Sequence, residues 1–287
     1  MPISLCRVCL IAFVVVVTGC TRMMFSPSDE WVETPDQLGY DYEEKLIRSE
    51  NGQLISAWLL PQRQSQRNKP KGAVLFFHGK ADNISTHLSN VNWLADEGYD
   101  VLMVDYRGFG RSHGQAGLSS SLVDIRYSTL WFLDKYSGAT PKYLLGQDYG
   151  ASMAGYVMAT NERLLKPFSA VILDSGFGSY RNLSAEKLDD HWLTDLVKTP
   201  VLQTIPSEYD LIDYIENISP TPLLIVHGTE DTVVPYRYGE ALFEQAKEPK
   251  QFLSYKGEHI AAYDDVKNRQ VLLQFLNQHQ HTQISQQ

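Results

Sequence analysis

What this chain of 287 residues lacks narrows it first. Its three cysteines, Cys6, Cys9 and Cys20, all fall within the first twenty positions, so whatever folds after them can hold no disulfide. Basic residues do not dominate. The 25 Lys and Arg stand against 34 Asp and Glu, a net charge of −9, and this argues against nucleic acid, which calls for a basic stripe. No internal repeat occurs, and the one biased stretch, Gln278 to Gln287, reads as a frayed end. Neither a metal-ligand constellation nor a phosphate-binding loop is present, so no metal and no cofactor is expected.

The start of the chain has its own pattern. Met1 to Arg7 is short and positive, Val8 to Val17 is apolar, and Val17-Thr18-Gly19-Cys20 follows. An apolar run this short does not comfortably span a hydrocarbon layer of ~30 Å, so it reads as a signal sequence. The small residues before Cys20 resemble a bacterial lipobox, with valine where leucine is commoner at the third position before the cysteine. That resemblance implies cleavage after residue 19 and lipidation of Cys20. It makes the membrane a partner and the bacterial cell envelope the location. In a double-membrane bacterium, Thr21 after the cysteine implies the outer membrane, facing the periplasm. An ordinary cleaved signal is the alternative, though Cys20 would then be an unpaired thiol in an exported protein. Residues 20–42, rich in Ser, Pro, Asp and Glu, read as the lipidated cysteine and its tether.

Beyond residue 42 the pattern alternates. A hairpin around Glu50-Asn51-Gly52 leads into strands near 72–77, 101–105, 143–146, 170–173, 223–226 and 252–255. Helices are expected over 86–97, 122–136, 151–163, 237–246 and 261–278. The alternation predicts an α/β domain over 43–278, a mostly parallel sheet with helices on both faces. Residues 176–220 read as a short helical insertion over the strand ends, and 279–287 as a disordered tail.

The chemistry gathers at the C-terminal ends of four of these strands. Gly146-Gln147-Asp148-Tyr149-Gly150 joins a buried strand to a helix, the setting of a nucleophile elbow. The central residue of such a turn takes a strained backbone, and glycines two positions either side let strand and helix pass closely. His78-Gly79-Lys80-Ala81 ends the strand at 77, Gly228-Thr229-Glu230-Asp231 follows the strand at 226, and Lys256-Gly257-Glu258-His259 opens the last helix. Bland readings exist beside these. Asp231 also fits a turn or helix cap, and His259 a surface histidine. Ser152, a helical turn past the elbow, should face the sheet. His78 and His227 suit structural roles, and Asp105 a loop-bracing one.

Phe76-Phe-His-Gly79 with Asn83, Val104-Asp-Tyr-Arg-Gly-Phe-Gly110-Arg-Ser112, Leu145-Gly-Gln147, Leu173-Asp-Ser175 and His227-Gly-Thr-Glu-Asp231 with Pro235 together resemble the α/β-hydrolase superfamily. The likeness is greatest to its small-cap serine hydrolases, the serine-aminopeptidase-like and acyl-protein-thioesterase-like members. It implies the α/β-hydrolase fold and a triad of nucleophile, acid and base at Asp148, Asp231 and His259. It also implies an oxyanion hole from the N–H groups of Lys80 or Ala81 and of Tyr149. Aspartate stands where this family carries serine. Haloalkane dehalogenases and epoxide hydrolases of the superfamily use aspartate there, but they follow it with tryptophan, or carry His-Gly-x-Pro and two lid tyrosines. Here Tyr149 follows, and Tyr180, Tyr209 and Tyr214 are the lid candidates. The expectation is a membrane-anchored hydrolase of a small uncharged or lipid-like substrate, ester-like or alkyl- and epoxide-like. Its alternative is a degenerate hydrolase fold serving as a binding or scaffold protein.

Overall fold

Strand β4 (Gly72–Phe77) is buried at every position, as a central strand covered on both faces must be. Its side chains alternate between two cores. Ala73, Leu75 and Phe77 join one apolar cluster, while Val74 and Phe76 join the other on the opposite face. The computed structural model in which this is seen describes residues 24–64, 69–189 and 195–280. Cys20, the signal sequence at 1–19 and the last seven tail residues lie outside the described residues.

The main sheet runs β10-β9-β8-β7-β4-β6-β3-β2. Its members are β2 (Glu43–Arg48), β3 (Leu54–Leu60), β4, β6 (Tyr99–Val104), β7 (Lys142–Gln147), β8 (Ala170–Asp174), β9 (Leu223–Gly228) and β10 (Lys250–Tyr255). β3 lies antiparallel to both its neighbours, and the pairs from β6 to β10 are parallel. Parallel pairing brings the ends of β4, β7, β9 and β10 to one rim, where the four singled-out loops emerge. No helix among the described residues is long and apolar enough to cross a membrane.

Two departures from the sequence reading have physical causes. The helix expected over 86–97 is two short ones, α1 (Leu88–Val91) and α2 (Trp93–Asp96). The Trp93 indole N–H donates to the carbonyl of Asn90 at 2.9 Å, an oxygen that a continuous helix would offer to residue 94. The second departure concerns residues 24–42, expected as tether, which lie against the domain. Phe25 is buried in the core, and β1 (Ser26–Pro27) pairs in parallel with β5 (Ala81–Asp82). The polar composition of the segment concealed one buried aromatic and a run of backbone hydrogen bonds.

The insertion after β8 carries helices α6 (Tyr180–Asp189) and α7 (Asp195–Gln203), with α3 (Leu118–Lys135), α4 (Tyr149–Ala159) and α5 (Glu162–Leu165) earlier in the chain. Asp210 ties the insertion down by accepting the Tyr180 N–H at 3.0 Å. Helices α8 (Arg237–Gln245) and α9 (Val266–Gln278) complete the order.

Candidate active site

Asp148 sits between β7 and α4 with φ 54° and ψ −123°, a conformation that L-residues rarely hold without support. The support is steric closeness on either side. A Cβ added at Gly146 would stand 2.6 Å from the Ala151 Cα, and one at Gly150 would stand 2.3 Å from the Phe77 carbonyl oxygen. These two positions are therefore restricted to glycine, as the elbow pattern requires.

The turn aims the Asp148 carboxylate at the rim, where its two oxygens meet different surroundings. Oδ2 accepts the Lys80 backbone N–H at 3.2 Å, and the Tyr149 backbone N–H also bonds the carboxylate. Gly79 leaves the space for this, since a Cβ there would lie 2.6 Å from Oδ2. Oδ1 is buried, has no hydrogen-bond partner among the described residues, and lies 3.7 Å from His259 Nε2. On its other ring nitrogen, Nδ1, His259 bonds Asp231 Oδ2 at 2.7 Å. Asp231 is fixed in turn by the N–H groups of Val233 (2.9 Å) and Val234 (2.8 Å), which donate to its Oδ1.

The charges follow from this packing. Burial pushes the Asp148 carboxyl upward, against the opposing pull of His259 and the two N–H donors. Burial alone would lower His259, but its hydrogen bond to Asp231 and the charges of Asp148 and Asp231 outweigh it and raise the imidazole above its ordinary value. Burial would raise Asp231, yet its bonds to His227 and His259 hold it well below the usual carboxylate range. His259 is thus biased toward imidazolium while both carboxylates face it.

The structure brings together Asp148, Asp231, His259, Lys80 and Tyr149. It places Ala81 elsewhere: that residue pairs with Ser26 in the small β1–β5 ladder, and the N–H reaching Asp148 is that of Lys80. Ser152 is buried, and its hydroxyl is bound to the Phe177 backbone at both N–H and C=O. His227 bonds the Val234 carbonyl at 2.8 Å, and Asp105 accepts the Ile84 N–H at 2.8 Å, both structural contacts. Of the three lid candidates, Tyr209 and Tyr214 pack on Tyr156 instead. Tyr180 packs on Tyr149 with ring centres 5.7 Å apart, and its buried hydroxyl has no partner among the described residues.

Two features went unread in the sequence. Asp174, at the end of β8, is fully buried beside the site, where it accepts from Gln147 Nε2 at 2.8 Å and from Ser175 Oγ at 3.3 Å. The Ser175 hydroxyl also accepts the Ile260 N–H next to His259, and both Ser175 and Ile260 hold positive φ. The run Leu173-Asp-Ser175 was visible, but nothing in it marked a brace. The other is Phe25, a lone aromatic in a polar stretch. No group of three or more His, Cys, Asp or Glu among the described residues could hold a metal ion.

Known proteins resemble this arrangement. A family model described as serine aminopeptidase, S33, matches residues 68–202, and one described as serine hydrolase (FSH1) matches 142–267. YfhR of Escherichia coli K12, itself uncharacterised, is 31% identical over 241 residues, covering 83% of this chain and 79% of that protein. Human protein ABHD12B is 30% identical over 183 residues, 61% of this chain and 49% of its own length. Among solved structures, the Pyrococcus furiosus esterase Pf2001 superposes with a TM-score of 0.69 at 20% identity, covering 90% of this chain and 98% of that one. With the sheet order, the elbow and these relatives agreeing, the chain belongs to the α/β-hydrolase superfamily.

Proposed function

We propose that this protein is a hydrolase in which Asp148 attacks an sp³ carbon bearing a leaving group, as in an alkyl or epoxide substrate. The observation that carries this reading is the inequality of the two Asp148 oxygens. Oδ2 accepts the Lys80 N–H, while Oδ1 has no hydrogen-bond partner among the described residues; the Tyr149 N–H also bonds the carboxylate. Attack by Oδ1 forms a C–O bond to the substrate carbon as the leaving group departs with its electron pair. The product is an alkyl ester of Asp148. That step removes the carboxylate charge facing His259, so the imidazole loses one of the partners that keep it protonated. Once neutral, it takes a proton from water, and the hydroxide adds to Asp148 Cγ. The oxyanion then develops on Oδ2, already in contact with the Lys80 N–H. Collapse releases the alcohol and restores the carboxylate.

Acyl transfer from an ester suits the site less well. A substrate carbonyl would need the donors that Asp148 already holds, each worth about 2.7–4 kcal/mol in a transition state. We further propose that the protein is anchored in the cell envelope through lipid on Cys20, at the outer membrane facing the periplasm.

The test separates these chemistries from a binding or scaffold role. His259→Gln should stop ester hydrolysis without stopping attack. Incubated with a panel of alkyl halides and epoxides, that variant should gain the mass of one alkyl group, mapping to Asp148. The parent in H₂¹⁸O should instead acquire ¹⁸O in the Asp148 carboxylate. No adduct in the variant, with no turnover in the parent, would move the protein to the scaffold reading. Ester turnover by the parent without ¹⁸O entering Asp148 would overturn the carboxylate as nucleophile.

A further inference from the structure

Residues 25–32 are built against the site. Phe25 is 5% exposed, with its ring 5.7 Å from that of Tyr149 and 6.1 Å from that of Phe109. The next residue, Ser26, donates its N–H at 2.9 Å to the carbonyl of Lys80, whose own N–H holds Asp148. Fastening continues along the segment. Ser28 donates to the Asp82 carbonyl at 3.0 Å, and Asn83 Nδ2 donates to the carbonyls of Ser28 (3.1 Å) and Glu30 (2.7 Å). Gly110 N–H reaches the Ser28 carbonyl at 2.8 Å, and Val32 N–H reaches Ser85 Oγ at 2.9 Å. Residues 25–32 therefore form a strap across the oxyanion loop, at the rim where the strands end.

Chain length makes this strap a constraint on orientation. Four residues, 21–24, separate Cys20 from Phe25. Five Cα steps reach ~17 Å at full extension, about half the thickness of a bilayer's hydrocarbon core. A terminus lipidated at Cys20 would be fixed at the lipid surface, and more than one acyl chain makes such attachment stable. Attachment to the opposite end of the sheet would leave the rim facing water. Attachment at the rim, with so little slack, turns the rim toward the lipid. The groups beside Asp148 on this side are aromatic: Phe25, Phe109, Tyr149, Phe177 and Tyr180, with Tyr149 and Phe177 centred 4.9 Å apart. These rings are buried together, so the strap is packed through Phe25 onto the residue that follows Asp148.

We infer that the strap holds the Asp148 site against the bilayer, and that the substrate is an amphiphile whose apolar chain lies in that bilayer. The inference rests on lipidation of Cys20 and, for its chemistry, on the carboxylate reading above. Two measurements keep these apart. The first involves no catalysis. Full-length protein, processed and lipidated, is reconstituted in phosphatidylethanolamine–phosphatidylglycerol vesicles. A nitroxide is placed at Val233→Cys, in the loop after β9 at the rim, or at Ala139→Cys, in the exposed loop before β7 at the far end. Lipid blocks Cys20, so each label is unique. The Val233 label should become accessible to oxygen and shielded from an aqueous nickel relaxant, and the Ala139 label should stay aqueous. Twenty Gly/Ser residues inserted between Arg22 and Met23 should keep the protein on vesicles yet return the Val233 label toward water. Equal aqueous exposure of both labels, or a protein that does not stay on vesicles, overturns the inference and leaves the Asp148 chemistry standing.

The second measurement uses the His259→Gln trap with a long-chain alkyl electrophile dissolved in the bilayer and a short one dissolved in water. The insertion should slow capture of the long-chain probe about tenfold and leave the short probe unchanged. Equal rates for both probes would sink the assignment of substrate class. Absence of any adduct with either probe, while the labels report the expected orientation, would count against the carboxylate chemistry and not against the strap.

Discussion

A carboxylate that occupies its own oxyanion donors is a different device from a hydroxyl in the same turn. Serine would leave the Lys80 and Tyr149 N–H groups free for a substrate oxygen. Asp148 brings its own oxygen to them, so in the proposed mechanism those donors serve the Asp148 ester formed later. His259 must then answer to a partner whose charge comes and goes. With Asp148 ionised, the imidazole is held protonated from two sides. Asp148→Asn keeps the shape and removes that charge, as alkylation would. Titration of His259 by NMR should accordingly give a lower pKa in Asp148→Asn than in the parent, because one of the partners that raise it is gone. The sign matters for rate as well. Alkylation lowers that pKa in the same way, so turnover limited by hydrolysis of the Asp148 ester should reach its plateau at a lower pH than the one at which His259 titrates in the resting protein. An unchanged His259 pKa in Asp148→Asn would mean the two groups are not electrically coupled, despite the 3.7 Å between them.

Among elements, β1 is as short as its partner β5 and the least expected. Two residues of strand would count for little by themselves, but the carbonyl they grip belongs to the residue whose N–H faces Asp148. Ser26→Pro removes the N–H and also constrains the backbone at Ser26 and Phe25, whereas Ser26→Ala retains the N–H. In single-turnover hydrolysis of the Asp148 ester, Ser26→Pro should slow the reaction about tenfold, less than the 100-fold or more that follows outright loss of an oxyanion donor. Its cost in stability should be about 1 kcal/mol by denaturant unfolding. Ser26→Ala should match the parent in both. A folded Ser26→Pro protein with an undiminished rate would show that the strap only covers the loop. The sequence could not announce this contact. A backbone hydrogen bond leaves no mark on residue type, and Phe25 is a single apolar residue with no periodicity around it. Asp148 and Asp231 were legible because each follows a buried strand, and His259 because it comes third in the order the fold demands. The choice between Lys80 and Ala81 depended on a local backbone direction that composition does not encode.

For the whole molecule, what was legible is what repeats: apolar strands alternating with helices, ending in glycine-rich turns. What was hidden is what couples elements distant in sequence, and Asp174 is the sharpest case. Its carboxyl is fully buried between β7 and β9, and burial raises it from 3.8 to about 6 even with Gln147 and Ser175 bonded to it. A carboxyl raised in the folded state favours folding while it is protonated. Its contribution is fully present below the unfolded value near 3.8, and it is lost as pH rises through about 6. At pH 8 the buried charge therefore costs on the order of 3 kcal/mol. Asp174→Asn removes that charge and can keep both contacts, its oxygen accepting from Gln147 and its amide donating to Ser175 Oγ. The variant should be more stable than the parent at pH 8, by up to ~3 kcal/mol in urea unfolding, and no more stable at pH 4. The difference between the two proteins should open between pH 4 and 6, the window in which the unfolded chain has given up this proton and the folded parent still holds it. A constant difference across that range would mean Asp174 keeps the same charge throughout. In that case the brace beneath His259 works by hydrogen bonding alone.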